Sequence, residues 1–310
     1  MTLIVGYAPD EQGRAGLHLG ALLARSAGDR LVVCSVVPSP WVPGMARVDA
    51  EYRSYLDATA DEALDRARTN LPGGIETTFV RHSARSAAVG LLELAAEHEA
   101  SIVVLGSSSA GAFGHIALGS VTDRLLHSSP VSLALAPRGF RCRDDATVTR
   151  VTTAYGGGSA ESLVVAAASV AARGGATLRI ASFAVWSRPP YTMALGTDSE
   201  DLVLQEWTAD LEKTVHAAMT RVEGLPEKVD KVETVIGRGG SWQEALDDIG
   251  WAEGDVMVVG SSELGPVAQV FLGSRATKIV RHSPVPVVVV PRERAEALAE
   301  RAAGASDEER

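Results

Sequence analysis

The sequence predicts an α/β protein of two doubly wound, open parallel five-stranded sheets, Rossmann-like in plan and related by internal duplication. Three observations carry that prediction. The stretch from Ile102 to Arg138 returns as Val256 to Arg292, so that Gly106 matches Gly260, Gly119 matches Gly273, Pro130 matches Pro284 and Arg138 matches Arg292, at a constant offset of 154 residues. Short continuous apolar runs alternate with segments whose apolar residues recur every three or four positions, the mark of strands alternating with helices. The composition is aliphatic, 46% hydrophobic with only 5% aromatic residues, which suits parallel sheets buried on both faces.

Each element has a local reason. Leu3 to Tyr7 is an apolar strand stopped by Ala8-Pro9-Asp10. Leu17, Leu19, Leu22 and Leu23 define a helix face that ends near Gly28, and Leu31 to Val37 is the second strand, closed by Pro38, Pro40 and Pro43. A charged helix runs from Ala46 to Asn70 and breaks at Pro72-Gly73-Gly74. Ile75 to Val80 reads as strand, Ala87 to His98 as helix, Ile102 to Leu105 as strand, and Val131 to Ala136 as the fifth strand of the unit. A charged linker follows from Gly139 to Thr147.

The second unit repeats the plan. Its strands are expected at Val148 to Tyr155, Leu178 to Ala184, Val232 to Ile236, Val256 to Val259 and Val285 to Val290. Its helices are expected at Ser159 to Arg173, Asp198 to Glu223 and Ser241 to Trp251. These readings set domains at residues 1–140 and 148–293 and leave 294–310 as a charged tail. The final strands of both units are apolar and would be exposed edges unless paired, which argues for intramolecular domain pairing.

A net charge of −10 argues against nucleic acid and anionic membrane surfaces as partners. Cys34 and Cys142 are too few for a disulfide framework, and Cys34 lies inside an apolar run as a small buried hydrophobe. The N-terminus lacks the basic and cleavable features of a signal peptide, and no apolar stretch has the length of a membrane span, so a cytoplasmic location is expected.

The candidate chemistry sits in the repeated stretch. In each copy a strand ends at a glycine, a Gly/Ser-rich loop follows, and Gly119-Ser120 or Gly273-Ser274 opens a helix. The first turn of a helix presents unpaired N–H groups and a positive dipole end, which suits phosphate. The competing structural reading makes Ser120 an N-cap, with Asp123 completing a capping box. Neither a phosphate-binding loop of the G-x-x-x-x-G-K-[S/T] type nor metal-ligand spacing of His and Cys occurs.

The order strand, G-x-x-G, nine residues, G-[S/T], helix, Ser-Pro or Ser-x-Pro and strand resembles the universal stress protein family, and the chain resembles a tandem, two-domain member of it. The resemblance implies ATP or another adenine nucleotide as ligand, with the first copy the better candidate. The implied contacts are Gly106, Ser109, Gly119 and Ser120 in the first copy and Gly260, Gly273 and Ser274 in the second. Two departures bear on that implication. Where the nucleotide-binding members carry an Asp after the first strand, this chain has Ala8 and Gly156; where they carry the second loop glycine, it has Ser109 and Glu263. Asp10 offers a substitute carboxylate or is simply a turn residue, and Arg275 offers Glu263 a structural partner. The sequence therefore favours a stress-response interaction or tolerance protein without catalysis, its two clefts partly degenerate. The alternative is an adenine-nucleotide-binding regulator using the first cleft. Protein partners are undefined by the sequence, and a homodimer beyond the tandem pair stays open.

Overall fold

The computed structural model describes residues 1–39, 46–156, 161–186, 228–261 and 272–304, with single positions between 209 and 225. In the first unit the strands are β1 (Thr2–Gly6), β2 (Arg30–Pro38), β3 (Thr77–Ala84), β4 (Ile102–Gly106) and β5 (Ser132–Ala136), and the helices are α1 (Glu11–Ala27), α2 (Ala46–Asn70), α3 (Ala87–Glu97) and α4 (Ser120–Leu125). The second contributes β6 (Arg150–Ala154), α5 (Glu161–Gly174), β7 (Thr177–Val185), β8 (Val232–Gly239), α6 (Trp242–Asp248), β9 (Asp255–Gly260), α7 (Ser274–His282), β10 (Val287–Val290) and α8 (Arg292–Gly304). The helix expected over Asp198 to Glu223 lies largely outside the described residues, as do Ser159 and Glu263.

Each half builds a parallel five-stranded sheet, and the two halves join into one ten-stranded sheet of order β3-β2-β1-β4-β5-β10-β9-β6-β7-β8. Among the described residues the join is the only antiparallel step, with Leu133 opposite Val289, Ala134 opposite Val288 and Leu135 opposite Val287. Both fifth strands, buried along their length, thereby lose their edges. Helices α1, α2, α5 and α8 cover one face over a core that includes Leu3, Leu17, Leu31, Val151 and Leu178. Helices α3, α4, α6 and α7 cover the other, over Ile4, Val32, Leu91, Leu133 and Val289.

Local chemistry sets the element boundaries. The Asp10 carboxylate accepts from Gly13 N at 2.8 Å and caps α1, so Asp10 is a helix cap rather than a ribose ligand in waiting. Gly28, at φ 65°, ends α1 in the left-handed conformation that glycine adopts without strain. Strand β3 begins later and runs further than its apolar residues suggest, because it follows β2 in register from Leu31↔Thr77 to Pro38↔Ala84. Being an edge strand, it tolerates Arg81 and His82. Within the C-terminal segment, residues 292–304 form α8, which packs on α5 and buries Ala295.

The second half also buries a polar network. The guanidinium of Arg150 donates to Asp255 through Nε at 3.0 Å and Nη2 at 2.5 Å. Arg179 lies 3.7 Å from the same carboxylate, donates to the carbonyls of Ile249 and Gly250 at 2.9 and 2.8 Å, and stacks over the Trp251 ring. Burial depresses the Arg179 pKa, with the nearby Arg150 charge acting in the same sense.

Candidate functional site

The first-copy cleft forms where β1 and β4 end side by side. Gly6, Tyr7 and Ala8 supply one wall, Gly106 and Ser108 the opposite lip, and Gly119 to Thr122 the mouth of α4, around a volume of about 370 Å³. Cys34, Val36, Ala87, Leu91 and Leu105 make the remainder apolar. The cleft thus joins an apolar inner wall to a polar rim. Burial pushes the Cys34 thiol up to about 12, so it acts there as an apolar wall and not as a nucleophile.

Glycine is required at two of these positions. A Cβ on Gly106 would sit 1.9 Å from the Gln12 carbonyl oxygen, and one on Gly13 would sit 1.9 Å from the Ala8 oxygen. The end of β4 therefore presses against the start of α1, and no side chain fits between them. Among the described residues, which leave out 157–160 ahead of α5, a Cβ on Gly260 would meet Leu163 Cδ2 at 3.5 Å.

The helix mouth departs from the capping expectation. Gly119 is the N-cap of α4, with φ −88° and ψ 172°, and Ser120 is the first helical residue. In the second half Gly273 and Ser274 stand in the same relation to α7. Neither serine caps its helix, both are exposed, and neither hydroxyl has a hydrogen-bond partner among the described residues. The capping-box reading of Ser120 and Asp123 is therefore corrected: the glycine supplies the extended cap conformation and leaves the hydroxyl available.

The loop between β4 and α4 is held shape-first. Ser107 Oγ accepts from Ala117 N at 2.8 Å, and Ser108 N donates to the Ala117 carbonyl at 2.9 Å. Arg138, just beyond β5, reaches back to donate to the carbonyls of Ser109 and Gly111 at 3.1 and 2.7 Å. Ser109 does not line the cleft. Ser109 instead lines a neighbouring hollow of about 260 Å³ with Asp10, Glu11, Gln12, Ser107 and Arg138. The structure therefore brings Gly106, Gly119 and Ser120 to one cleft, places Ser108 there in addition, and sets Ser109 apart. Ser108 was legible only as one serine in a run of three; its backbone is held by Ala117, nine residues on.

In the second half Gly260, Gly273 and Ser274 occupy the corresponding strand end and helix mouth, while residues 262–271 between them lie outside the described residues. Among the described residues, nothing lies within 4 Å of where a Cβ on Gly156 would point. Among the described residues there is no cluster of His, Cys, Asp and Glu able to hold a metal, and no helix long and apolar enough to cross a membrane.

Comparison with known proteins agrees with this architecture. The sequence profile of the universal stress protein family matches residues 1–137 and again 147–291. Universal stress proteins of Mycobacterium bovis and Mycobacterium tuberculosis are each 38% identical over 296 residues, covering 94% of this chain and 100% of the relative. Among solved structures, a universal stress protein from Archaeoglobus fulgidus superposes with a TM-score of 0.57 at 20% identity, covering 94% of this chain and 98% of that one. A functionally unknown protein from Pseudomonas aeruginosa gives 0.55 at 14% identity, covering 98% and 97%. Two profile matches in one chain, with full-length relatives at this identity, make the chain a tandem member of the universal stress protein family.

Proposed function

We propose that the chain is a non-catalytic stress-response protein whose first-half cleft binds an adenine nucleotide weakly and reversibly. The observation that carries this reading is the α4 mouth. The Ser120 hydroxyl and the first N–H groups of the helix lie at a cleft whose inner wall is apolar. This weighs the nucleotide reading above a purely vestigial cleft. Weakness follows from Ala8, which offers the ribose no carboxylate. The candidate groups beside the cleft among the described residues support a binding role over hydrolysis: burial holds Cys34 as a neutral thiol, and Asp10 is engaged as the α1 cap.

Calorimetric titration with ATP, ADP and AMP tests the proposal, with Ser120→Asp as the decisive variant. An acidic residue in the first turn favours the helix dipole, so α4 should remain folded, while its charge repels a phosphate. The expected result is measurable ATP binding by the native chain and a loss of roughly tenfold or more in Ser120→Asp, the scale of one charge-assisted contact. Equal ATP binding by both proteins, or none by the native chain, would overturn the reading.

A further inference from the structure

A second cavity, of about 330 Å³, lies at the junction of the two halves on the opposite face of the sheet from α4. Its floor comes from both units, with Leu3 of β1, Val151 of β6 and Val288 of β10, and its roof includes Ala167 and Val170 of α5. Val170 is 44% exposed, so the cavity communicates with solvent there. Two arginines complete the lining, Arg173 at the end of α5 and Arg294 in α8. Arg294 is half-buried, and neither guanidinium has a carboxylate partner among the described residues. The acid of this lining is already engaged, since Asp29 pairs with the N-terminal amine at 2.6 Å. Burial lowers the Arg294 pKa, and the neighbouring Arg301 acts in the same direction. The site thus holds a cationic end with no internal counter-charge beside an apolar chamber.

We infer that this junction cavity binds a free medium-chain fatty acid, its alkyl chain over the sheet between the two halves and its carboxylate on Arg294 and Arg173. The size agrees: with about 30 Å³ for a water-sized group, the volume holds roughly eleven methylene-sized units. The polarity agrees as well, because an apolar chain gains from leaving water and a carboxylate matches the guanidinium fork. A nucleotide suits the chamber poorly, as most of its lining is aliphatic. The site is separate from the α4 cleft, so this inference does not rest on the nucleotide reading.

Calorimetric titration of the full chain with dodecanoate tests it. Saturable one-to-one binding is expected, with dodecyltrimethylammonium at least about tenfold weaker because its head carries the wrong sign. The pair Arg173→Gln and Arg294→Gln should weaken dodecanoate by about tenfold or more and leave 1-dodecanol nearly unchanged. Ala167→Trp should abolish both by filling the chamber; should that variant melt early, the arginine pair still decides. ATP at saturation should not compete. No saturable heat, equal affinity for the anionic and cationic amphiphiles, or indifference to the arginine pair would overturn the inference. So would co-sedimentation with phosphatidylglycerol vesicles by a chain that ignores soluble dodecanoate, or light scattering that shows a second copy occupying the site.

Discussion

Asp255→Ala offers the most direct test of how the second half is held together. Asp255 is 3% exposed and holds Arg150 through two charge-assisted hydrogen bonds, while a third bond, from Ala252 N at 2.9 Å, fixes the turn before β9. Removing one partner of a buried ion pair costs about 3–5 kcal/mol, because the remaining charge stays buried without compensation. Arg150 has a side chain 22% exposed and retains Glu233 at 3.5 Å, so water and that carboxylate absorb part of its loss. Arg179 keeps two carbonyls and the Trp251 ring, yet its side chain is only 4% exposed. These two offsets place the expected cost near the lower bound, about 3 kcal/mol. Urea unfolding followed by tryptophan fluorescence is the appropriate assay, since Trp186, Trp207, Trp242 and Trp251 all belong to the second half. At 2–4 °C per kcal/mol for a domain of this size, the corresponding thermal shift is roughly 6–12 °C. Adding Arg179→Met should recover part of the loss by removing the stranded charge. A destabilisation below about 1 kcal/mol would refute the view that this network behaves as a buried, mutually compensated unit.

Two further outcomes follow from the first half. Ala8→Asp places a carboxylate at the cleft wall, and titration should show ATP binding tightened by about tenfold or more, the scale of a hydrogen bond to a charged group; no gain would mean that the missing Asp is not what limits affinity. His18 Nδ1 accepts from Cys142 N at 3.3 Å, and burial, reinforced by Arg141, depresses its pKa below the ordinary 6.5. The unfolded chain therefore binds this proton more readily, so the contribution to stability is complete above about pH 6.5 and declines as pH falls below it. Urea midpoints measured across that range should decline less steeply in His18→Gln than in the native chain.

The parts of this fold legible in the sequence are those enforced locally. Gly106 reads as essential because strand and helix meet there with no room for a Cβ, and the repeat at Gly260 marks the end of the matching strand. The pairing of the fifth strands is visible in their unbroken apolar character, Leu133 to Ala136 and Val287 to Val290. What escapes sequence reading is decided by distant partners. Ser109 and Ser108 are chemically identical neighbours, and the bonds that fix their loop come from residues further along the chain, Ala117 and Arg138. The first serine of each helix looks like a cap because serines usually are, whereas the preceding glycine takes the cap position. The last helix reads in sequence as a charged, Ala-rich tail or a frayed helix; what seats it is the packing of Ala295 and Ala302 on the core of the other elements.

The antiparallel join of β5 to β10 has a consequence for divergence. Two separate copies associating through such a strand must find each other at a rate set by their concentration, and any substitution appears in both. A covalent connection replaces that encounter with an effective concentration of the order of millimolar for a short flexible linker. It also frees each half from the identity of the other. Ala8 stands in one half where Gly156 stands in the second, and the buried Arg179 of β7 has no counterpart charge in β2, where Val32 lies in the matching register. One half can thus drift in its ligand chemistry while the other invests in rigidity, with the shared sheet keeping both in a single folded body.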